Sequence, residues 1–231
     1  YGNCVLFLKE HLNRLQANLD RLNINHSLNL EQWQDICTKL ISNNGQDRPI
    51  YIQITRGADK TRKHDFPNNL TPTVLALSLD AISPGDSLHY GKTKQLNIIT
   101  LPDNRWDNCD VKSIALLGNI LLRQEGLKQN ADEVLLIRKN DNIVEGTASN
   151  FFIVKNNTCY TTSVMNGGVE GTMQAYILAN AASLGIKVDR IPMSISDVMS
   201  ANEVMLTNAI SGIKPVTQFQ DVVFKNNFAI E

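Results

Sequence analysis

The chain has 231 residues, of which 42% are hydrophobic and 19% are charged, an ordinary composition for a soluble globular protein that can bury one large or two medium cores. It carries 22 lysines and arginines against 23 aspartates and glutamates, a net charge of −1, and it has no basic block, so nucleic acid is not an expected partner. The longest apolar runs, such as residues 114–117, are too short to span a bilayer, so no membrane partner is expected.

The N-terminal part of the chain is predicted to contain three strands and two helices. Residues 4–8 follow a turn signal and predict a strand, and residues 30–42 predict the second helix. Alternation in IYIQITRG and in TPTVLALSLD predicts two more strands, which flank the polar segment ADKTRKHDFPNN. The first helix is predicted in KEHLNRLQANLDRLNI from the spacing of Leu12, Leu15, Leu19 and Leu22.

Residues 82–88 are rich in turn formers and are the predicted linker. They divide the chain into an N-terminal α/β domain, residues 1–81, and a larger C-terminal domain, residues 89–231. The chain starts at Tyr1 rather than at a methionine and stops in NNFAIE, so we expect that both domains continue beyond the given ends.

The C-terminal domain is predicted to mix strands, hairpins and helices. KQLNIITLP is a strand, residues 113–126 form a helix, and EVLLIRKNDNIVEG and NFFIVKNNTCYTT form hairpin-like strands. NGGVEGTMQAYILANAASLG is a glycine-bearing loop that opens a helix closed by Gly185. KVDRIPMS is a strand, ISDVMSA a helix, and NEVMLTNAISGIKPV a strand that runs into a loop. The predicted fold class is α+β (mixed α/β) in two lobes.

The four cysteines lie far apart and lack the pairing of a metal site, which is typical of the reducing cytoplasm, so we expect a cytoplasmic protein without a metal ion. They are Cys4, Cys37, Cys109 and Cys159. HExxH, CxxC, GxSxG and Walker motifs are absent from the sequence, which removes zinc proteases, thiol redox enzymes, α/β-hydrolases and P-loop NTPases as motif-based hypotheses.

Several residues can carry chemistry, and each also has an ordinary structural explanation. Lys112 lies between strand-like and helix-like residues, where it is either a surface lysine or a reactive amine. Residues 171–173 open a helix and form either an anion site or a plain first turn. Arg14 either clamps that anion or covers a helix face, and Glu145 either lies in a hairpin turn or faces a cation such as a protonated ring nitrogen.

Taken in order, these segments resemble the class IV aminotransferases, the pyridoxal phosphate enzymes of the D-amino acid and branched-chain type, over nearly the whole chain. EHLNRL resembles the early helix of that family, which implies that Arg14 binds the phosphate of the cofactor. DVKSIALLGNILLRQE resembles the segment with the Schiff-base lysine, here Lys112. IVEGTASNFFIV resembles the Glu-Gly-x-x-x-Asn strand pair, which implies that Glu145 faces the pyridine nitrogen.

The same resemblance places two further loops at the cofactor, pyridoxal 5'-phosphate. GGVEGTMQ resembles the phosphate loop at a helix start, which implies that Val169 lies near the ring and that Thr172 and Met173 lie at the phosphate. TNAISGIKPV resembles the second phosphate-side loop, with Thr207 and Asn208 as contacts.

The chemistry implied by the resemblance starts from a lysine amine. An aldehyde cofactor needs a partly desolvated nucleophile, and we expect Val111, Ile114 and Leu116 to supply the apolar wall. A carboxylate at the ring nitrogen, here Glu145, keeps that nitrogen protonated so that the ring accepts electrons. Lys112 then moves the proton between the substrate and the cofactor.

The expected reaction is transamination of a D-amino acid, such as D-alanine, with a 2-oxo acid. TRGADKTRKHDFP resembles the Thr-Arg-Gly…Arg-x-His-x-Phe-Pro stretch of the D-amino acid transaminases, with one extra residue between Gly57 and Arg62. The resemblance implies that Arg62 and His64 reach the substrate carboxylate of the neighbouring subunit in a homodimer.

Two other functions in the family and one outside it remain open. TNAISGIKPV favours 4-amino-4-deoxychorismate lyase, which uses the same fold and cofactor to release pyruvate and p-aminobenzoate. Branched-chain transamination is the third possibility, and a non-catalytic binding module with a surface lysine at position 112 is the fourth. The transaminase is preferred because the Arg-x-His loop touches substrate, whereas the phosphate loop holds a cofactor common to both enzymes.

Overall fold

The structure, a computed structural model of the chain, divides into two compact units, Tyr1–Ser83 and Pro84–Glu231. The predicted linker, residues 82–88, lies outside the described part of the chain, so the domain bounds taken from the sequence stay a prediction. The described residues are 5–46, 48–80, 96–138, 141–163 and 167–224.

The smaller unit contains two helices and a two-stranded antiparallel sheet. Helix α1 spans Leu8–Arg21 and helix α2 spans Leu30–Asn44, and strands β1, Ile50–Thr55, and β2, Thr73–Ser78, pair with each other. Helix α2 starts with a capping box in which Asn29 and Gln32 satisfy each other's backbone N–H groups. The buried side chains of this unit come from both helices and the segment between them, namely Leu19, Ile24, Trp33 and Cys37.

The strand predicted over residues 4–8 is wrong for the residues that the structure describes. Residues 6 and 7 form a turn, and helix α1 already begins at Leu8. Phe7 takes a left-handed conformation, with φ of 54°. A short apolar run has no periodicity that separates a strand from a helix start, which explains the error.

The larger unit contains three helices and ten strands among its described residues. The helices are α3, Leu117–Lys128, α4, Thr172–Asn180, and α5, Ile195–Met199. The strands are β3, Leu96–Pro102, β4, Glu133–Ile137, β5, Asn142–Gly146, β6, Asn150–Lys155, β7, Thr158–Thr161, β8, Lys187–Arg190, β9, Met193–Ser194, β10, Glu203–Asn208, β11, Gly212–Phe219, and β12, Val222–Val223.

The strands of the larger unit form one curled sheet. Its order is β8-β7-β6-β10-β11-β3-β4-β5-β9, with β12 paired to β11. Strands β5 and β6 are separated by four strands in this order, yet only residues 147–149 connect them. A connection this short requires the sheet to curl until its distant strands meet at their ends. The mixed helix and strand fold confirms the predicted fold class.

Three element boundaries differ from the prediction. The helix predicted from residue 113 begins at Leu117, and α4 ends at Asn180, where a short 3-10 helix, Ala181–Leu184, continues to Gly185. Gly185 has φ of 70° and terminates the helical segment as predicted. The segment predicted as a loop after β10 contains β11, which pairs with β10 in antiparallel register and with β3 in parallel register.

The main core fills the inside of the curled sheet. Buried apolar side chains from strands β3 to β6 and from β9 to β11 pack there together with Val198 of helix α5 and with Phe224. The fully buried members include Ile98, Leu135, Ile143, Phe151, Met193, Val204, Val216 and Phe219. Burial of this size dominates the stability of the larger unit and fixes the strand ends relative to one another.

Cys37, Cys109 and Cys159 are buried free thiols. In the described ranges, no helix is both long and apolar enough to cross a membrane. The same ranges hold no group of three or more histidine, cysteine, aspartate or glutamate side chains that could ligate a metal ion.

Candidate active site

The turn between β5 and β6 brings Glu145 and Asn150 to the same end of the sheet. Glu133, on the neighbouring strand β4, fixes this turn, because its buried carboxylate accepts hydrogen bonds from the backbone N–H of Thr147 at 3.2 Å and from the hydroxyl of Ser149 at 2.9 Å. The hydroxyl of Thr147 also donates to Glu133. The Glu133 carboxylate therefore fixes the conformation of the turn. Glu145 and Asn150, at the two ends of the turn, are not needed to stabilise it and can contribute to the site.

Glu145 and Asn150 bind the backbone of one residue, Val169, through its N–H and its carbonyl group. The backbone N–H of Val169 donates to Glu145 Oε2 at 2.9 Å, and the Asn150 side-chain amide donates to the carbonyl of Val169 at 2.8 Å. A Cβ atom at Gly168 would lie 2.9 Å from Glu145 Oε2, and one at Gly171 would lie 2.0 Å from Asn150 Oδ1. The glycines let the loop approach the two side chains this closely.

The hydrogen bonds of Glu145 and Asn150 to Val169 give the Glu-Gly-x-x-x-Asn pattern a structural role. Its first and last residues fix the loop before helix α4, and the backbone of Val169 lies beside the Glu145 carboxylate. Glu145 accepts two hydrogen bonds, from Val169 and from Arg105. Further acceptor positions remain on its carboxylate, because an ionised carboxyl group has about four lone-pair sites.

Helix α4 presents its N-terminus next to this pair. Its N-cap is Gly171, which has no side chain to satisfy the first-turn N–H groups, and the N–H of Ala175 donates to the carbonyl of Gly171 at 2.9 Å. Thr172 is buried and Met173 is partly buried. A helix start without a side-chain cap and the positive end of the helix dipole favour an anion such as a phosphate at this position.

A buried hydroxyl with unused hydrogen-bonding capacity adds to the anion site. Thr207 lies opposite Asn150 in the pairing of β10 with β6. Its side chain is only 1% exposed, and in the described part of the chain its Oγ1 atom has no hydrogen-bond partner. A buried polar group without a partner is costly, so Thr207 fits a ligand that supplies a polar atom, as a phosphate ester does.

Asn208 acts differently from Thr207. Its Oδ1 atom accepts from the N–H groups of Ile210 at 2.9 Å and Ser211 at 2.7 Å, and from the Ser211 hydroxyl at 2.9 Å. The side-chain oxygen is therefore used to shape the turn between β10 and β11, and the Asn208 amide is the part that can reach a ligand.

A buried ion network stands behind Glu145. Arg105 donates from Nη1 to Glu145 Oε1 at 2.9 Å, and from Nε and Nη2 to the two oxygens of Asp103 at 2.9 and 3.1 Å. Arg138 donates from Nε to Asp103 Oδ2 at 3.0 Å. Burial raises the pKa of Glu145, and the charge and hydrogen bond of Arg105 act against that rise. Burial also acts to raise the pKa of Asp103, but the bonds from Arg105 and Arg138 prevail and lower it.

Lys112 follows the buried Val111 in an irregular segment before α3, and its side chain is exposed. Ile114 is 64% exposed and Leu116 is 47% exposed. Within one chain, the apolar wall expected from these neighbours is therefore incomplete.

Helix α3 ties the lysine segment to the Glu145 turn. The Asn119 side chain donates to the carbonyl of Thr147 at 2.7 Å. A Cβ atom at Gly118 would lie 3.0 Å from Cγ of Arg105, so the helix start packs directly on the ion network. The Gly-Asn pair of LLGN thus connects the segment of Lys112 with the turn after Glu145 and with Arg105.

Arg14, Arg62 and His64 belong to the smaller unit, whereas the other predicted site residues belong to the larger one. Arg14 is partly buried on α1, with Nη2 3.5 Å from Nδ1 of His11. Arg62 and His64 are exposed on the segment between β1 and β2.

That segment is anchored at its base. Arg56 donates to the carbonyls of Leu22 and Asn23 at the end of α1, and its guanidinium lies 3.7 Å from the centre of the Phe66 ring. Gly57 has φ of 105°, and a Cβ atom there would lie 2.2 Å from the carbonyl oxygen of Thr71. The anchor presents Arg62 and His64 to the surroundings of the unit.

The sequence did not indicate a role for Arg105 or Asp103. It also did not indicate the hydrogen bond of Asn150 to the loop before α4. The available signal was the pair of opposite charges in PDNRW, directly after a predicted strand and shortly before Lys112. That signal names no partner, because Glu145 lies 40 positions from Arg105.

Comparison with known proteins gives a family. The model of the family described as Amino-transferase class IV matches residues 1–219. The D-alanine aminotransferase of Listeria monocytogenes serotype 4b is 30% identical over 223 residues, which are 96% of this chain and 76% of the relative. The D-alanine aminotransferase of Bacillus licheniformis is 29% identical over 218 residues, 94% of this chain and 75% of the relative.

Solved structures share the fold at lower identity. A Legionella pneumophila protein assigned as a 4-amino-4-deoxychorismate lyase superposes with a TM-score of 0.84 at 20% identity, covering 97% of this chain and 81% of that one. The branched-chain amino acid aminotransferase of Escherichia coli has a TM-score of 0.82 at 20% identity, covering 94% and 72%.

The residues of the site fit the cofactor of that family. An uncapped helix start and a buried unpaired hydroxyl suit a phosphate, and a buried carboxylate with remaining acceptor positions suits a protonated ring nitrogen. The chain belongs to the class IV aminotransferases, enzymes that depend on pyridoxal 5'-phosphate.

Proposed function

We propose that this enzyme transaminates a D-amino acid of the D-alanine type with a 2-oxo acid. The observation that carries the chemistry is the buried Glu145 carboxylate, which Val169 and Arg105 hold in place with acceptor positions to spare. Support for the substrate comes from relatives named D-alanine aminotransferase, which match 94–96% of the chain at 29–30% identity.

When bound, the cofactor supplies an aldehyde for an amine and a ring that withdraws electrons from the substrate carbon. Lys112 Nζ would be the amine that holds the aldehyde carbon and, once released, would move the proton from the substrate α-carbon to that former aldehyde carbon. Glu145 accepts the hydrogen bond of the protonated ring nitrogen. The backbone around Val169 limits how the ring can shift.

The phosphate is assigned to backbone and side-chain groups of the larger unit, and the role of Arg14 is carried over from the family resemblance. The N–H groups of Thr172 and Met173, the Thr207 hydroxyl and the Asn208 amide would bind its oxygens, and Arg14 would add a guanidinium fork. In this arrangement the phosphate would supply the hydrogen-bond partner that the buried Thr207 hydroxyl lacks in the described part of the chain.

The substrate carboxylate is assigned to Arg62 and His64. Both are exposed, on a segment whose base is fixed by Arg56 and Gly57. A planar guanidinium recognises a carboxylate through two parallel hydrogen bonds, and a histidine can add a third.

The active form is proposed to be a homodimer. Large apolar side chains are exposed on the segment that follows Lys112, and a monomer would leave this ridge in water. A second copy of the chain would cover it and complete the apolar surroundings of the lysine. The ridge consists of Ile114, Leu116, Leu117, Ile120 and Leu121, which are between 47% and 69% exposed.

A second candidate function is 4-amino-4-deoxychorismate lyase. The favouring observation is Asn208, whose side chain shapes the turn of the TNAISG segment that resembles the lyases. In that case the same Lys112 and Glu145 would act on a different substrate, and the exposed Arg62 would face the acidic groups of aminodeoxychorismate.

Substrate assays on the chain loaded with cofactor separate the two functions. With D-alanine and 2-oxoglutarate we expect pyruvate, and with aminodeoxychorismate we expect no p-aminobenzoate. L-alanine and L-leucine with 2-oxoglutarate are the controls for stereospecificity. Release of p-aminobenzoate without turnover of D-alanine would establish the lyase and remove the transaminase.

Lys112→Ala should abolish turnover, because no other amine is assigned to the reacting carbon. Borohydride reduction of the parent protein should fix the cofactor to the peptide that contains Lys112, as read by mass spectrometry. Lys128→Ala, on the exposed end of α3, is the control and should keep both attachment and activity. Attachment of the cofactor at another lysine would refute the assignment.

Arg62→Ala should raise the Michaelis constant for D-alanine by about tenfold or more, because a charged hydrogen bond to the substrate is lost. Binding of pyridoxal phosphate, followed by its absorption, should change little. The neighbouring exposed Lys63→Ala is the matched control for loss of a positive charge from the same segment. Equal effects of the two substitutions would mean that the segment acts only through its general charge.

Leu121→Glu should convert the dimer to monomers and lower activity in parallel, because it places a charge in the apolar ridge. The measurement is molar mass by light scattering together with activity across protein concentrations. Leu184→Glu, at a side chain 73% exposed elsewhere in the larger unit, is the control and should stay dimeric. A monomeric parent protein with full activity would rule out the proposed assembly.

A further inference from the structure

Arg105 is a buried cation with two carboxylate partners. Its side chain is 4% exposed, and those of Asp103 and Glu145 are 0% and 7% exposed. Asp103 takes the Nε–Nη2 edge of the guanidinium in a two-pronged bond, and Nη1 is left for Glu145. A planar guanidinium can bind two carboxylates in fixed directions in this way, which a lysine ammonium does not reproduce.

Stability alone gives a poor reason for this arrangement. Taking charges out of water costs several kcal/mol per ion, and a buried ion pair is often no more stabilising than apolar side chains of the same size. The chain nevertheless buries Asp103 completely and places Arg105 and Glu145 next to it. The network is better explained by what it does to the one member that faces the site.

The second arginine makes the charges balance. If Asp103 were the partner of Arg105 alone, the pair would be neutral and would offer little to Glu145. Arg138 also binds Asp103, with its side chain 25% exposed, so two cations stand against two carboxylates. The positive charge of Arg105 thereby stays available to Glu145, which would otherwise take up a proton because of its burial.

Other groups near Glu145 do not replace Arg105. The loop side contributes the backbone of residues 168 and 169, the Asp103 carboxylate acts to raise the pKa of Glu145, and the nearby Cys109 thiol has a pKa that burial raises. Glu133 lies beyond Gly146, where its carboxylate is engaged by Thr147 and Ser149. Arg105 is thus the cation in direct contact with the Glu145 carboxylate in the described network.

The position of Arg105 also depends on the lysine segment. Gly118, near the start of α3, leaves 3.0 Å between a built Cβ atom and Cγ of Arg105. The helix that follows Lys112 therefore closes over the guanidinium stem. Arg105 therefore contacts both the Glu145 carboxylate and helix α3, which follows Lys112.

We propose that Arg105 is a positioning residue of this active site, which keeps Glu145 an ionised carboxylate with a fixed orientation toward the cofactor ring nitrogen. The inference rests on the proposed function, which assigns Glu145 to that nitrogen. The Asp103–Arg138 pair serves Arg105 in turn by holding the guanidinium edge and balancing its charge.

The first test measures Glu145 in the protein without cofactor. Infrared spectra of protein labelled with carbon-13 glutamate, taken against Glu145→Gln, follow the carboxylate band of this residue as the pH changes. Arg105→Met should move the titration midpoint up by about one pH unit or more. Arg105→Lys should recover only part of the shift, and Arg48→Met, at a partly exposed arginine of the smaller unit, should leave the midpoint unchanged.

The pH dependence of stability gives a second readout. Because burial raises the folded-state pKa of Glu145, its contribution to stability is present at low pH and is lost as the pH rises through that pKa. Arg105→Met raises the pKa further, so the melting temperature of the variant should fall increasingly below that of the parent from acid to neutral pH. A purely structural defect would lower it equally at every pH.

The third readout uses the protein with pyridoxal phosphate. Arg105→Met should change the pH profile of the visible absorption and lower kcat for D-alanine by about tenfold or more, with KM within about twofold. In the Glu145→Gln background, Arg105→Met should add no further spectral change, because the two residues act in series.

The outcomes separate the inference from the proposed function. An unchanged Glu145 midpoint in Arg105→Met, or a loss of stability independent of pH, overturns the role of Arg105. A Glu145→Gln protein whose cofactor absorbs like the parent overturns the ring assignment on which the inference depends. If Arg105→Met does not fold, Arg105→Lys and Asp103→Asn carry the same tests, and a parental midpoint in both overturns the inference.

Discussion

The candidate site depends on the hydrogen bonds that Glu145 and Asn150 make with the backbone N–H and carbonyl of Val169. They join the end of β5, the start of β6 and the loop before α4, three pieces that are distant in the sequence. They exist only because the sheet curls until β5 and β6 meet across a three-residue turn. The buried core inside the sheet therefore determines where Glu145, Asn150 and the start of helix α4 lie relative to one another.

The same curl creates an electrostatic problem that the chain solves with a second layer. A carboxylate enclosed by strands and glycine-rich backbone loses its water, and burial then favours its neutral form. The remedy is an arginine, but a buried arginine needs its own anion, and that anion needs another cation. Asp103 and Arg138 complete this sequence of requirements, so one functional carboxylate accounts for four buried or partly buried charges.

The sequence predicted most elements because helical and alternating spacing is local. Helices α1, α2 and α4 and strands β1 to β8 and β10 lie where their patterns placed them, with shifted ends. The exceptions have physical causes: residues 4–8 are a short apolar run without periodicity, and the segment of β11 contains Gly212 and Pro215, which are unusual in a strand. Its pairing with β3, more than a hundred residues earlier, is a tertiary contact that no local pattern contains.

The same limit applies to the site. Lys112, Glu145 and the glycine loop each lie in a contiguous motif that suggests them as site residues, and their roles stay a prediction, whereas the importance of Arg105 lies in a contact across the sheet. The apolar wall predicted around Lys112 is incomplete within one chain. Ile114 and Leu116 are apolar, but the irregular backbone before Leu117 leaves them exposed in one chain, so apolar composition did not imply burial.

The predicted site residues form two groups, and the surrounding structure constrains one group much more than the other. The predicted cofactor-binding residues of the larger unit are positioned by strand pairing, ion-paired carboxylates and close backbone contacts. A single added methyl group would collide with a neighbour there, as at Gly171. Arg62 and His64 instead lie exposed on a segment fixed only at its base by Arg56 and Gly57. Such a segment can change without disturbing the sheet, so substrate choice can differ among proteins that share this fold. Structures named for a lyase and for a branched-chain aminotransferase superpose on the chain with TM-scores of 0.84 and 0.82, so this fold alone does not determine which substrate is used.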